Sequence, residues 1–148
     1  MPWGVGNMKI LITSDEKTTL TDSVVQYLKE KGHEIVLHGA LVEKNDRWAE
    51  IGKEAAEKII RGEVDTGILF CWSGTGICMA ANKVKGVRAA LCWDEETVRL
   101  ARKWDDANAL CMSLRYTSDI EAKKMLDAWL KTKFDEEGLN QAHKLDQW

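Results

Sequence analysis

"TGILFCWSGTGICMAANK", residues 66–83, runs from an apolar, β-branched stretch into a loop of hydroxyls and glycines, then into a segment with helical spacing. A short buried strand followed at once by a helix is half of a β–α–β unit, and the rest of the chain repeats it. Strand-like runs at residues 9–13, 34–38, 66–71, 87–91 and 109–112 alternate with amphipathic segments at about 21–31 and 47–61 and from about 76, 94 and 118 onward. Parallel neighbours need a crossover of about a dozen residues or more, which those helices supply. The alternation predicts an α/β fold of Rossmann-like, doubly wound type, a five-stranded parallel sheet with helices on both faces. In the last helix Ala122, Met125, Leu126, Trp129 and Leu130 fall on one stripe that must be buried. Thr21 with Asp22, and Ser118 with Asp119, are the expected helix caps.

A chain of 148 residues suits one domain, here residues 8–134. Residues 1–7 read as a disordered leader or a remnant of expression. The polar tail, residues 135–148, either frays or packs Leu139, His143, Leu145 and Trp148 on a neighbouring subunit. With 21 basic and 24 acidic residues the net charge is −3, which offers no attraction to nucleic acid or an anionic membrane. No apolar run reaches the length of a membrane span, and the first residues lack the features of a secretion signal. Cys71, Cys78, Cys92 and Cys111 show no C-x-x-C spacing, and His33, His38 and His143 are scattered. That pattern points to reduced thiols in a cytoplasmic protein, with no metal and no cofactor expected.

In an open parallel sheet, ligands sit beyond the carboxyl ends of the strands. There the chain places Thr13-Ser14-Asp15-Glu16, Cys71-Trp72-Ser73-Gly74-Thr75-Gly76, Cys92-Trp93-Asp94 and Ser113-Leu114-Arg115. Gly74 and Gly76 allow backbone N–H groups to face a concavity at a helix start, where an anion or a developing oxyanion is stabilised. The loop matches neither G-x-G-x-x-G nor G-x-x-x-x-G-K-[ST], which counts against a dinucleotide or a nucleoside triphosphate. Cys71 is a redox thiol, a metal ligand, a buried packing residue or a base acting on a substrate held by this loop. Cys78, Cys92 and Cys111 read as packing residues. Trp72, Trp93 and Trp104 are expected at or near the strand-end face, where an indole can stack on the apolar face of a sugar. Trp48 reads as an anchor for its helix.

Residues 67–71, the glycine loop, Ala80-Ala81-Asn82-Lys83, residues 86–92 and Asp106-Ala107-Asn108 together resemble the type B ribose-5-phosphate isomerase and galactose-6-phosphate isomerase family, in register from about residue 9 to residue 134. The resemblance implies a cofactor-free aldose–ketose isomerase acting on a sugar phosphate of the ribose-5-phosphate and ribulose-5-phosphate type. Cys71 would take the proton from the carbon beside the carbonyl, giving an enediolate whose oxygen is held by Ser73 and the N–H groups of Gly74, Thr75 and Gly76. Asp15 would bind sugar hydroxyls and Arg115 the phosphate, with Asn108 belonging to the matched motif. The family also implies a homodimer with shared active sites, tetramers in some members, and a dimer contact near Asn82, Lys83 and Arg88.

Several positions depart from the family pattern. Glu16 and Trp104 stand where histidines are usual, the second of which opens the sugar ring, so Asp105 or Asp15 is left as the stand-in acid. Trp72-Ser73 replaces Gly-Thr, and Glu136-Glu137-Gly138-Leu139 replaces a stretch whose arginines grip phosphate, leaving Lys133, His143 or Lys144 to compensate. These changes set two alternatives beside the leading reading: an isomerase of a different or unphosphorylated sugar, and a sugar-binding module without turnover.

Overall fold

The structure is a computed structural model describing residues 6–136 and 141–148. Five strands, β1 (Lys9–Ser14), β2 (Glu34–Gly39), β3 (Thr66–Cys71), β4 (Ala89–Leu91) and β5 (Ala109–Ser113), form one parallel sheet in the order β2-β1-β3-β5-β4. Between and after them run α1 (Thr19–Glu30), α2 (Trp48–Ile60), α3 (Thr75–Asn82), α4 (Glu95–Asp105), α5 (Asp119–Lys131) and the single-turn α6 (Gln141–Lys144). The expected five-stranded α/β sheet covered on both faces is therefore present. Among the described residues no helix is long and apolar enough to cross a membrane.

Side chains alternate across the sheet with the period of two that strands impose. Ile10, Ile12, Ile68, Phe70, Leu110 and Met112 pack with residues of α1, α4 and α5 on one face. Leu11, Leu69, Cys71, Ala109 and Cys111 pack with residues of α2 and α3 on the other. The α5 stripe is buried as its spacing requires, and Trp129 Nε1 donates to Thr66 Oγ1 at 3.2 Å, giving the polar atom of a fully buried indole a partner.

Two local expectations shift. α1 is capped by Thr18, whose hydroxyl accepts from Thr21 N–H while the Thr21 hydroxyl accepts from Thr18 N–H. Thr21 is thus the third helical residue of a capping box and starts no helix. β4 is two residues shorter than its apolar run, because Asn108 takes the place of a ladder partner: Arg88 N–H donates to Asn108 Oδ1 at 2.7 Å and Asn108 N–H to Arg88 O at 2.9 Å. Of the tail, residues 135–136 and 141–148 are described, and Asp146 and His143 bond residues of the same chain. Arg88 Nη1 donates to both carboxylate oxygens of Asp146, at 2.7 and 3.0 Å. His143 Nε2 lies 2.7 Å from Asp106 Oδ2, and its ring stacks on Phe134. Leu139 falls outside the described residues, as do residues 1–5 of the expected leader.

Candidate active site

β2 lies to one side of β1, and β3, β5 and β4 to the other, so the winding direction reverses between β1 and β3. Loops diverge at such a point and leave a crevice beyond the strand ends. The two loops that open there are Asp15-Glu16 after β1 and Trp72-Ser73-Gly74 after β3. They touch: Asp15 N–H donates to Phe70 O at 3.3 Å, and the Trp72 backbone N–H favours the charged form of the Asp15 carboxyl.

Asp15 is held above the ordinary carboxylate range, first by burial, opposed by its own backbone N–H, then by the charges of Glu16 and Asp46. Between an unfolded value near 3.8 and the higher folded value, the folded chain binds the proton more tightly than the unfolded chain. Stability therefore falls as pH rises through that window, and the cost stays fully present above it. Asp15→Asn is expected to unfold at higher urea than the parent at neutral pH and at the same urea once both side chains are neutral near pH 3. Urea midpoints measured between those limits check it.

Cys71 closes β3 at the strand end beside this crevice, 4% exposed, with its side chain on the α2 and α3 face. Its carbonyl accepts from Leu114 N–H at 3.0 Å. Gly74 is the N-cap of α3 with φ +80, and a Cβ there would stand 2.6 Å from Leu91 Cδ1 and 3.0 Å from the Met112 carbonyl carbon. Gly76 lies under the Trp48 ring, whose nearest atom would meet a Cβ at 2.8 Å. The indole that begins α2 thus also covers the loop, beyond its expected part as a helix anchor. Ser73 Oγ and Thr75 Oγ1 are 2.6 Å apart. The N–H groups of Ser73, Gly74 and Gly76 have no acceptor among the described residues. Three free donors at a helix start are a cradle for a developing negative oxygen.

Arg115 sits over Trp72, its guanidinium carbon 5.6 Å from the ring centroid, and 5.5 Å from that of Tyr116. Trp72 and Trp93 are both exposed at the strand ends, where an indole can meet a sugar face. Ser113, to which the strand-end reading gives no role, joins these loops: its hydroxyl donates to Trp72 O at 2.7 Å and accepts from Arg115 N–H at 3.0 Å and Tyr116 N–H at 2.9 Å. The available signal was a hydroxyl closing an otherwise apolar strand, ALCMS.

Three predicted residues lie elsewhere in the chain. Trp104 and Asp105 end α4, and Asn108 precedes β5, so all three stand at the amino edge of the sheet. The length of β5 separates them from the Cys71 level by about 13 Å. The expectation that Trp104 lies at the carboxyl strand-end face is corrected accordingly: a helix that returns the chain to the next parallel strand ends at the opposite edge. Asn108 is committed to structure, its side-chain amide donating to Gly86 O at 3.0 Å and its oxygen taking Arg88 N–H. Asp105 lines a cleft of about 560 Å³ with Asn82, Lys83, Arg88, Leu145 and Trp148, and burial holds its carboxyl above the ordinary range. His143 is engaged with Asp106 and Phe134. Glu137, Gly138 and Leu139 of the altered phosphate stretch fall outside the described residues.

Cys92 and Cys111 are buried, and burial pushes the Cys92 thiol up to about 12. Cys78 is half-buried, its thiol lowered by a hydrogen bond with Cys111. Among the described residues no three histidine, cysteine or carboxylate side chains gather as metal ligands.

Residues 10–147 match the family described as Ribose/Galactose Isomerase. The chain is 41% identical over 132 residues to the "Probable ribose-5-phosphate isomerase B" of Mycoplasma genitalium, covering 87% of each protein. It is 34% identical over 134 residues to the D-erythrulose-4-phosphate isomerase of Pectobacterium atrosepticum, covering 90% of this chain and 84% of that one. The solved structure of a ribose 5-phosphate isomerase from Thermotoga maritima superposes with a TM-score of 0.88 at 34% identity, covering 97% of this chain and 100% of that one. With its parallel sheet, strand-end cysteine and glycine loop in place, this chain belongs to the ribose/galactose isomerase family of aldose–ketose isomerases.

Proposed function

We propose that the protein interconverts an aldose phosphate and its ketose, of the ribose 5-phosphate and ribulose 5-phosphate type, through an enediolate. The Cys71 thiolate takes the proton from the carbon beside the carbonyl, the electron pair of that C–H bond forms a carbon–carbon double bond, and the carbonyl π pair moves onto its oxygen. The resulting oxyanion is met by the free N–H groups of Ser73, Gly74 and Gly76. A proton passes from the neighbouring hydroxyl to that oxygen so that the second carbon becomes the carbonyl, and the Cys71 thiol returns the proton to the neighbouring carbon. Asp15 accepts hydrogen bonds from the sugar hydroxyls, and Arg115, braced on Trp72, meets the phosphate. The observation that carries this reading is the meeting of Cys71, Asp15 and unpartnered backbone donors where the winding of the sheet reverses.

A single chain is incomplete for this chemistry, since Trp104 and Asp105 stand at the other edge of the sheet. We infer a homodimer in which Asp105 of the partner subunit supplies the acid that opens the sugar ring. Its carboxyl, raised by burial, suits that task. An apolar groove of about 610 Å³ beside α3 includes Thr75, Met79 and Leu91 and shares Asn82 and Lys83 with the Asp105 cleft, a continuous face suited to a second copy.

A different substrate is the second reading, favoured by the charges of Glu16 and Asp46 bearing on Asp15, which oppose a phosphate dianion on that side of the site. One experiment separates the readings. Ribose 5-phosphate, erythrulose 4-phosphate, galactose 6-phosphate and the free sugars are incubated with the protein in heavy water, and deuterium is sought at the carbon beside the carbonyl. Label entering ribose 5-phosphate only when Cys71 is present supports the leading reading. Label confined to another sugar transfers the assignment to it, and tight binding without label in any sugar rejects turnover.

A further inference from the structure

Two successive peptides follow the base, and their carbonyls are held in the same way. The Cys71 carbonyl is drawn toward β5 by Leu114 N–H. In a planar trans peptide the N–H points opposite to the C=O. The N–H of that peptide, on Trp72, accordingly turns the other way, toward the side of Asp15, whose charged form it favours. One peptide further on, the Trp72 carbonyl is also drawn toward β5, by the Ser113 hydroxyl at 2.7 Å and Arg115 N–H at 3.1 Å. The same geometry aims the N–H of that peptide, on Ser73, toward the Asp15 side, where it has no acceptor among the described residues.

The Ser113 hydroxyl is at full capacity, with one bond donated and two accepted. It pairs in register with Cys71 across the β3–β5 ladder and is 6% exposed, so neither its position nor its partners can drift toward solvent. An alanine there removes the hydroxyl acceptor for Arg115 and Tyr116 and leaves the Trp72 carbonyl to one donor instead of two.

We propose that Ser113 is a positioning residue for the isomerisation: it sets the plane of the Trp72–Ser73 peptide so that the Ser73 N–H is presented to the enediolate oxygen. The proposal rests on the isomerase reading above. Because the donor serves a charge that develops only during the reaction, its misalignment lowers kcat and leaves ground-state binding nearly unchanged.

The test compares Ser113→Ala, Ser113→Thr and Cys71→Ala with the parent, using the sugar phosphate among ribose 5-phosphate, erythrulose 4-phosphate and galactose 6-phosphate that exchanges label. A matching aldonohydroxamate, whose planar head resembles the enediolate, serves as inhibitor. In Ser113→Ala, kcat is expected to fall about 10- to 100-fold, less than or equal to the loss on removing a whole oxyanion donor. Hydroxamate affinity should fall with it, while KM stays within about threefold, and Ser113→Thr should restore most of kcat. Cys71→Ala inactive with Ser113→Ala fully active overturns this inference and leaves the isomerase reading standing. Cys71→Ala fully active overturns both. Substrate and hydroxamate affinities falling equally, with a lowered melting temperature and no rescue by threonine, would reduce Ser113 to a fold-holding residue and also overturn the inference.

Discussion

Cys71→Ala is expected to lower kcat/KM by about 10²- to 10⁴-fold and to leave a folded protein that still binds sugar. General-base catalysis is worth about that factor. The free N–H groups of the loop and the contacts proposed for Asp15 and Arg115 stay in place, so rate is lost far more than affinity. The structural cost is small by comparison. Cys71 packs among Leu11, Ile77 and Cys111 in the layer between the sheet and α2 with α3. Removing one sulfur from that layer leaves a void smaller than a methylene pair and costs about 1 kcal/mol. Cys71→Ser is the sharper control, since it keeps the volume and replaces the sulfur by a far weaker base. Steady-state rates and melting temperatures of the two variants decide the outcome: equal, severe loss of kcat with intact folding is expected, and a variant retaining more than a tenth of parent activity would remove Cys71 from the chemistry.

Gly74→Ala is expected to have the largest effect on stability among changes in the loop. The residue holds φ +80, and a Cβ there would stand 2.6 Å from Leu91 Cδ1, 3.0 Å from the Met112 carbonyl carbon and 3.1 Å from its oxygen. The left-handed conformation costs a residue other than glycine about 1–2 kcal/mol. The overlap adds about 1–3 kcal/mol, because Met112 contributes backbone from a central strand that cannot move aside. For a domain of this size a total of about 2–5 kcal/mol lowers the melting temperature by about 5–20 °C. The loop would also lift from β5 and swing its donors, so kcat falls along with stability. Gly76→Ala is the comparison: its Cβ would meet only the Trp48 ring, at 2.8–3.0 Å, a side chain at the surface that can turn away. A calorimetric scan should therefore rank Gly74→Ala well below Gly76→Ala, and the reverse order would contradict the packing described for this loop.

Gly74 and Gly76 show how local patterns and tertiary contacts divide the explanation. A glycine-rich turn between an apolar run and a helical segment signals a strand-end loop from sequence alone. That Gly74 is required by the backbone of β5, and Gly76 by an indole from the start of α2, depends on elements distant in sequence coming together. Ser113 is the same case: its partner Trp72 is 41 residues away, and no spacing rule connects a hydroxyl on one strand to a carbonyl beyond another.

The period-two apolar runs, the helices between them and the stripe on α5 determined a parallel sheet covered on both faces, because each pattern reflects the repeat of its own backbone and needs no distant residue to be read. The same alternation put forward the loops after β1, β3, β4 and β5 as the place for chemistry. Tertiary structure decided which strands are neighbours, and so that Asp15 lies against Trp72. It also decided that Trp104 and Asp105 belong to the opposite edge, since a helix between parallel strands carries the chain back along the length of the sheet. Proximity in a parallel sheet is set by strand order and by which end of each element a residue occupies; sequence separation carries neither.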